Sequence, residues 1–365
     1  MRHVLLLAGL ALAAGVPDAA RAQETGPRSA TFAARQEFKV VIPDGAKKVR
    51  AWFTMPQSDP AQTVTGFKVE CAFPTKQVQD SAGNFSIYVE ILNPTVKDFT
   101  LVETFTINRK EIRNNLDPAR TRPISDNERT LMKDELAPNQ HVVITDDIRA
   151  LAKEIAGDEK NPVIAGRKIY DWVLNNVDYW VKYPDKMKPS AVGSTEYCLT
   201  NKTGNCTDFH SLWTSLARAQ EIPTRMVYGS FFKAELDQTD KDQSYHCWPE
   251  FYVPQVGWVP HDVAVADIFM GDFELNKANE EKVRLTTADG YKGGDKAKVD
   301  YYFGNIDERR VVWSRGRDLT MNPKQDGGPV NALAKAYVEI DGKPAGEKTG
   351  DTVNWSRKLT FTEKK

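Results

Sequence analysis

Few side chains in this sequence stand in a local setting that makes them reactive, and the clearest is Cys206. It lies in "KTGNCTDFHSLWTSLARAQEIPTR", Lys202 to Arg225. Asn205 is a good helix N-cap and Asp208, three residues on, a capping-box partner. The pattern predicts a helix from Asn205 to about Gln220, stopped by Pro223, with Cys206 its first helical residue. A thiol there meets unpaired backbone N–H groups and the positive end of the helix dipole, and both favour the thiolate. Gly204 is expected to clear space for a substrate carbonyl, and Phe209, Leu212, Trp213 and Leu216 to anchor the helix in a core. The chemistry so described is attack of sulfur on a carbonyl carbon, which needs a base.

The chain has five histidines. His3 is in the apolar N-terminal segment and His141 near a connector. His210 is one helical turn beyond Cys206 and is considered as a base, but a packed or helix-surface role is the expectation. His246 lies in "SYHCWPEFYVP" and Asp262 sixteen residues later, in "GWVPHDVAVAD". Strand alternation puts His246, Trp248, Glu250 and Tyr252 on one face, and Trp258, Pro260 and Asp262 on one face of the next strand. A hairpin centred near Gln255 then lets Asp262 fix the imidazole tautomer while His246 faces Cys206. By the same alternation Cys247 is expected to point away from Cys206. His261 is expected as a flanking surface residue, Asp208 in helix-end electrostatics, and Trp248 and Trp258 as cleft walls.

The competing reading of Cys206 is a disulfide. Cys71, Cys198, Cys206 and Cys247 are even in number, and Cys198 is eight residues before Cys206. No Cys/His spacing suits a metal, and the acidic residues from Glu235 to Asp242 do not follow a calcium loop, so no cofactor is expected. With 49 basic and 50 acidic residues there is no electrostatic case for nucleic acid or for an anionic membrane surface.

The elements that must position these residues are legible in part. Residues 1–22 read as a cleavable secretory signal, with an apolar run from Val4 to Val16 and a small-x-small site at Ala20–Ala22. No run is long enough to span a bilayer. A periplasmic or secreted protein is therefore expected. Residues 30–113 alternate with a period near two between turn signals, which predicts an N-terminal β-sandwich. Residues 114–140 read as a connector. Within 141–325, helices are predicted at "TDDIRALAKEIAG", "NPVIAGRKIYDWVLNNV" and the cysteine segment. Strands are predicted at "TRMVYGSFF", "SYHCWPEFYVP" and "GWVPHDVAVA", then an exposed charged insertion at 274–298 and a further strand pair. Residues 326–365 read as a C-terminal β extension, with a turn at Asp341-Gly342.

"TGNCTDFHSLWTSLARAQEIPTRMVYG" followed by "HCWPEFYVPQVGWVPHD" resembles the core of the transglutaminase-like superfamily. There a Gly-x-Cys opens a helix ending in Arg-Ala-x-x-Ile-Pro-x-Arg, then come a His-x-Trp-x-Glu strand and a Gly-Trp-x-Pro-x-Asp strand. The resemblance covers about Tyr170 to Asp267. It implies an α+β, papain-like fold and a Cys-His-Asp triad at Cys206, His246 and Asp262. It also implies an aromatic oxyanion donor upstream of the cysteine, beside the Cys206 backbone N–H, and "NNVDYWVKYP" offers Tyr179 and Trp180. Two departures are Gln220-Glu221, where a small pair is usual, and Cys247, where alanine is common; neither is expected to touch the triad. The implied activity is acyl transfer from an amide of a protein or peptide substrate through a thioester. Hydrolysis as a protease or amidase is favoured over cross-linking. The alternative is an inactive binding or scaffold protein of the cell envelope on the same fold. Arylamine acyltransferases and glycoprotein deglycosylases share the Cys, His, Asp order, but the Ile-Pro-x-Arg and Gly-Trp blocks fit the transglutaminase-like group.

Overall fold

Alternation sets the N-terminal half. In the computed structural model, which describes residues 26–239, 245–287, 290–346 and 354–365, six strands open the chain. They are β1 (Ser29–Val41), β2 (Lys48–Thr54), β3 (Gln62–Cys71), β4 (Lys76–Gln79), β5 (Phe85–Leu92) and β6 (Asp98–Lys110). Along β1 every second residue from Ala30 to Val40 is buried, as the period-two pattern requires. The leader read at residues 1–22 lies outside the described residues.

The helical pattern then takes over. The segment read as a connector contains α1 (Asp126–Leu131), started by a capping box between Ser125 and Glu128. It is followed by α2 (Asp146–Ala156), α3 (Pro162–Asn176), β7 (Asp178–Tyr179), α4 (Thr195–Asn201), β8 (Thr203–Gly204) and α5 (Cys206–Ala219). Next come β9 (Thr224–Phe231), β10 (Tyr245–Val253), β11 (Gly257–Pro260), α6 (Val263–Ile268), α7 (Glu280–Thr286), α8 (Lys296–Tyr301) and β12 (Arg310–Arg315). The antiparallel order β11-β10-β9-β12 makes the second half's sheet. α5 lies across it and is buried at every residue from Cys206 to Arg218, between the sheet and α2, α3, α4 and α6. The architecture is α+β, as expected.

Three readings of the sequence are corrected here. "GWVPHDVAVA" is a strand only to Pro260 and a helix from Val263; α6 is buried all round, so its apolar run carries no helical period. The stretch before Arg310 forms α8 rather than a second strand. The charged segment 274–298 is not merely an exposed insertion, because α7 buries Val283 and carries Leu285 to the wall of a cleft that His246 also lines.

The tail returns to the beginning. β13 (Ala336–Ile340), β14 (Lys343–Pro344) and β15 (Trp355–Lys364) complete the two sheets of the sandwich, in the orders β15-β1-β6-β3 and β14-β13-β2-β5-β4. Asp341 and Gly342 both have positive φ, 51° and 75°, and make the tight turn between β13 and β14. Phe38, Phe53, Phe99, Leu101 and Val338 fill the space between the sheets. No helix among the described residues is long and apolar enough to cross a membrane.

Candidate active site

The start of α5 is over-determined. The Asn205 side chain accepts from the N–H groups of Thr207 (2.9 Å) and Asp208 (3.1 Å), and Asp208 accepts from the N–H of Asn205 (2.9 Å). Buried Asp208 also accepts from the N–H groups of Ser190 and Ser194 at 3.0 and 2.8 Å, so it ties the 190–194 loop to the helix mouth. That explains Gly204 differently from the expectation. A Cβ there would sit 2.3 Å from the Asp208 Cβ, so the missing side chain makes room for Asp208, not for a substrate. Cys206 emerges as the first helical residue and is 4% exposed.

His246 is carried by β10, paired through its backbone with Gly229 of β9. A Cβ on Gly229 would lie 2.7 Å from the Trp248 ring, so that ring packs flat over the glycine next to the histidine's own strand position. Asp262 lies past the end of β11 and is the N-cap of α6. One of its oxygens accepts from the Val265 N–H (3.0 Å), and the other accepts from His246 Nε2 at 2.7 Å. The cap of α6 and the partner of His246 are thus one residue. With its Nε2–H donated to Asp262, the ring presents Nδ1 to Cys206, its hydrogen-bonding neighbour.

Two groups not foreseen in the sequence complete this arrangement. Arg310 of β12 is fully buried and donates to the same Asp262 oxygen at 2.5 Å while its Nε donates to Asp307 at 3.0 Å. Its guanidinium lies over the Phe231 ring, 3.9 Å from the centroid. No local signal in "NIDERRVVW" marks it, since its partner is 48 residues away. Tyr245 precedes the histidine, and its hydroxyl is 2.9 Å from Thr207 Oγ1.

Cys247 overturns the alternation argument. It does lie on the strand face opposite His246, but that face is the one covered by α5. Its sulfur is 3.4 Å from Thr207 Oγ1 and 3.7 Å from His210 Nδ1, and it lies close enough to Cys206 to shift the pKa of that thiol. The departure at Cys247 therefore touches the nucleophile candidate. All four cysteines are free thiols. His210 and His261, read as surface residues or packed ones, are both fully buried. His210 Nε2 is 3.4 Å from the second Asp262 oxygen without hydrogen-bond alignment, and His261 lies against Trp213 with ring centres 4.0 Å apart and planes tilted by 54°.

The charges reinforce one another. The Cys206 thiol is held well below its ordinary range, first by the hydrogen bond from Cys247, with burial opposing and the positive charge of His246 assisting. Burial works against a charged His246, but the Asp262 carboxylate and Cys206 thiolate outweigh it and raise its pKa. Burial also works against ionised Asp262, and His246 and Arg310 together hold it well below the carboxylate range. The thiol of Cys247 is pushed well above its ordinary range by burial and by the neighbouring sulfur. These directions favour a thiolate on Cys206 and a proton on His246.

Tyr179 and Trp180 separate. β7 pairs in parallel with β8, placing Tyr179 opposite Gly204, and the Tyr179 phenol meets the backbone N–H of Cys206. Burial holds that phenol protonated, so it is a donor. Trp180 is half-buried in the cleft wall with Lys282 over its ring. The cleft itself, about 340 Å³, runs between Tyr179, Trp180 and His246 on one side and α7 on the other. Neither tryptophan named as a wall borders it. Trp248 is fully buried with Val227, Ile306 and Val312, and Trp258 lines a different cavity beside Arg225.

Asp178, Asp267 and Asp272 are spaced closely enough to hold a cation. The ammonium of Lys182 contacts all three, at 3.1, 2.9 and 2.7 Å, and occupies that position. Asp267 in turn accepts from the Tyr179 N–H at 2.9 Å, so the cluster fixes the segment bearing Tyr179.

Comparison with known proteins agrees with this geometry. Residues 149–263 match the transglutaminase-like superfamily core. An uncharacterized protein of Haemophilus influenzae is 25% identical over 232 residues, and the match spans 58% of this chain and 58% of that protein's length. A crystal structure of a candidate cysteine protease from Cytophaga hutchinsonii superposes with a TM-score of 0.53 at 16% identity, covering 92% of this chain and 98% of that one. Residues 149–263 thus carry a transglutaminase-like core, and the overall fold is shared with the Cytophaga protein.

Proposed function

We propose that the protein is a cysteine-dependent acyl-transfer enzyme that attacks amide bonds of proteins or peptides, with water the favoured acceptor. The observation that carries this is the hydrogen-bonded run from His246 through Asp262 to Arg310, with His246 on a cleft and close enough to Cys206 to lower the pKa of its thiol. The leader-like residues 1–22 support a site of action in the periplasm or outside the cell.

In this reading the Cys206 thiolate adds to the amide carbonyl carbon. The resulting oxyanion accepts hydrogen bonds from the Cys206 N–H and the Tyr179 hydroxyl. As the C–N bond breaks, His246 gives its Nδ1 proton to the leaving amine, and a thioester remains on Cys206. Neutral His246 then takes a proton from water as that water attacks the thioester. Collapse releases a carboxylic acid and restores the thiolate–imidazolium pair. A primary amine in place of water would give a new amide. The second tetrahedral step uses the same two donors. Asp262 stays ionised throughout and keeps the ring in one tautomer.

An activity probe with a thiol-reactive warhead on a peptide amide tests this reading. Labelling is expected on the wild type and absent from Cys206→Ala. Labelling that survives the substitution contradicts it. A peptide library incubated with and without a primary amine then reports the acceptor: hydrolysed products in both samples are expected, and amide products alone would contradict the preference for water.

A further inference from the structure

Lys233 lies two residues past the end of β9 and lines the same cleft as His246, yet the acyl-transfer mechanism gives it no role. It is 1% exposed. Among the described residues no carboxylate lies within ion-pair distance of its ammonium, whereas Lys182, equally buried, is surrounded by three. Its ammonium instead lies 4.8 Å from the centre of the Phe231 ring, which also borders the cleft. A buried lysine without a counter-charge is costly to a fold. Burial, with Arg310 assisting and Glu235 and Asp307 opposing, brings its pKa down to about 7. Such a group gains most from an anion supplied from outside.

We propose that Lys233 determines specificity, binding a carboxylate that the substrate carries beside the amide attacked by Cys206. The assignment rests on Cys206 being the nucleophile. The preferred substrates are then acidic around the scissile bond, and substrate binding itself supplies the missing partner of Lys233. A charge-assisted hydrogen bond to a buried ammonium is strong and directional. The carboxylate arises either from a free peptide terminus or from an aspartate or glutamate side chain.

Two alkylating reagents of nearly equal size test this, because iodoacetate is an anion and iodoacetamide is neutral. The ratio of their rates at Cys206, followed by peptide mapping of the intact chain, is expected to fall about tenfold in Lys233→Met, the loss of one charge-assisted contact, and to persist in Lys233→Arg. Each variant's iodoacetamide rate reports whether its site is still assembled. An unchanged ratio in a Lys233→Met protein that still reacts with iodoacetamide overturns the lysine assignment alone. If neither reagent selects Cys206 in the wild type, the nucleophile reading falls as well. Protection of Cys206 by blocked peptides distinguishes the two sources of carboxylate. One peptide has a free terminus, one is amidated with a glutamate, and one is amidated and neutral. Stronger protection by either acidic peptide supports the assignment, and equal protection by all three counts against it.

Discussion

Asp262 illustrates how much one carboxylate is asked to do: it caps α6, orients His246 and neutralises Arg310. Arg310 touches none of the reacting atoms in the proposed mechanism, so it is a positioning residue. Arg310→Gln leaves Asp262 buried without its cation, and breaking such a pair costs about 3–5 kcal/mol of stability. The Asp262 pKa then rises, because Arg310 is one of the two charges that hold it down. The expected kinetic signature is a fall in kcat with little change in KM, and an acid limb of the pH profile displaced to higher pH. A purely structural role for Arg310 would lower stability and leave the profile of the folded fraction unmoved. Urea titration and pH–rate measurements check the two parts. At this scale the place of Cys206 at the start of α5 and the pairing of His246 with Asp262 were legible in the sequence, because cap chemistry and alternation are local. Arg310, Tyr245 and Cys247 were not. Arg310 comes from a distant strand, and Cys247 was misassigned because alternation says which face a residue takes but not which face a helix covers.

Among the elements, β7 and the turn after it are held by charge as well as by the buried Tyr179 and Val181. Lys182 joins Asp178, Asp267 and Asp272, and Asp267 holds the Tyr179 backbone. Lys182→Met keeps the aliphatic stem and removes the ammonium. The expected loss is about 3 kcal/mol, the low end for a buried pair because Asp178 and Asp272 are partly exposed. With Asp267 unpaired, Tyr179 loses its anchor and kcat is expected to fall further than Lys182's distance from the chemistry suggests. Retained kcat in a folded Lys182→Met protein would argue against Tyr179 as an oxyanion donor. α2, α3 and α5 were readable from their caps and periods. α6 and α7 were missed for opposite physical reasons: α6 is buried all round and has no polar face, while α7 lies in so charged a stretch that its one buried edge, at Val283, is hard to see.

On the scale of the whole molecule, the tail joins the two halves. Phe361 of β15 is stacked on Phe232 with ring centres 4.2 Å apart and meets Phe32 edge-on at 5.8 Å. Phe232 follows β9 and packs with Trp313 of β12, so the sandwich and the site-bearing sheet share one apolar cluster. Phe361→Ala is expected to cost about 3–5 kcal/mol. It should also lower the melting of both halves together, which calorimetry reads as a single shifted transition. Two separated transitions, with only the sandwich affected, would contradict the shared core. The sandwich was predictable from alternation. That the tail supplies part of it was not, because pairing partners nearly the full chain length apart leave no local trace.

The most direct test of the central claim is the pH dependence of Cys206 alkylation by iodoacetamide, mapped by mass spectrometry against Cys71, Cys198 and Cys247. The account predicts that Cys206 reacts first and at pH values well below those an ordinary thiol needs. His246→Ala should move its profile upward, since the imidazolium is one of the charges holding the thiol down. Reaction of Cys206 only in the ordinary thiol range and indifferent to His246, or its recovery from unreduced protein as a disulfide, would contradict the thiolate–imidazolium pair.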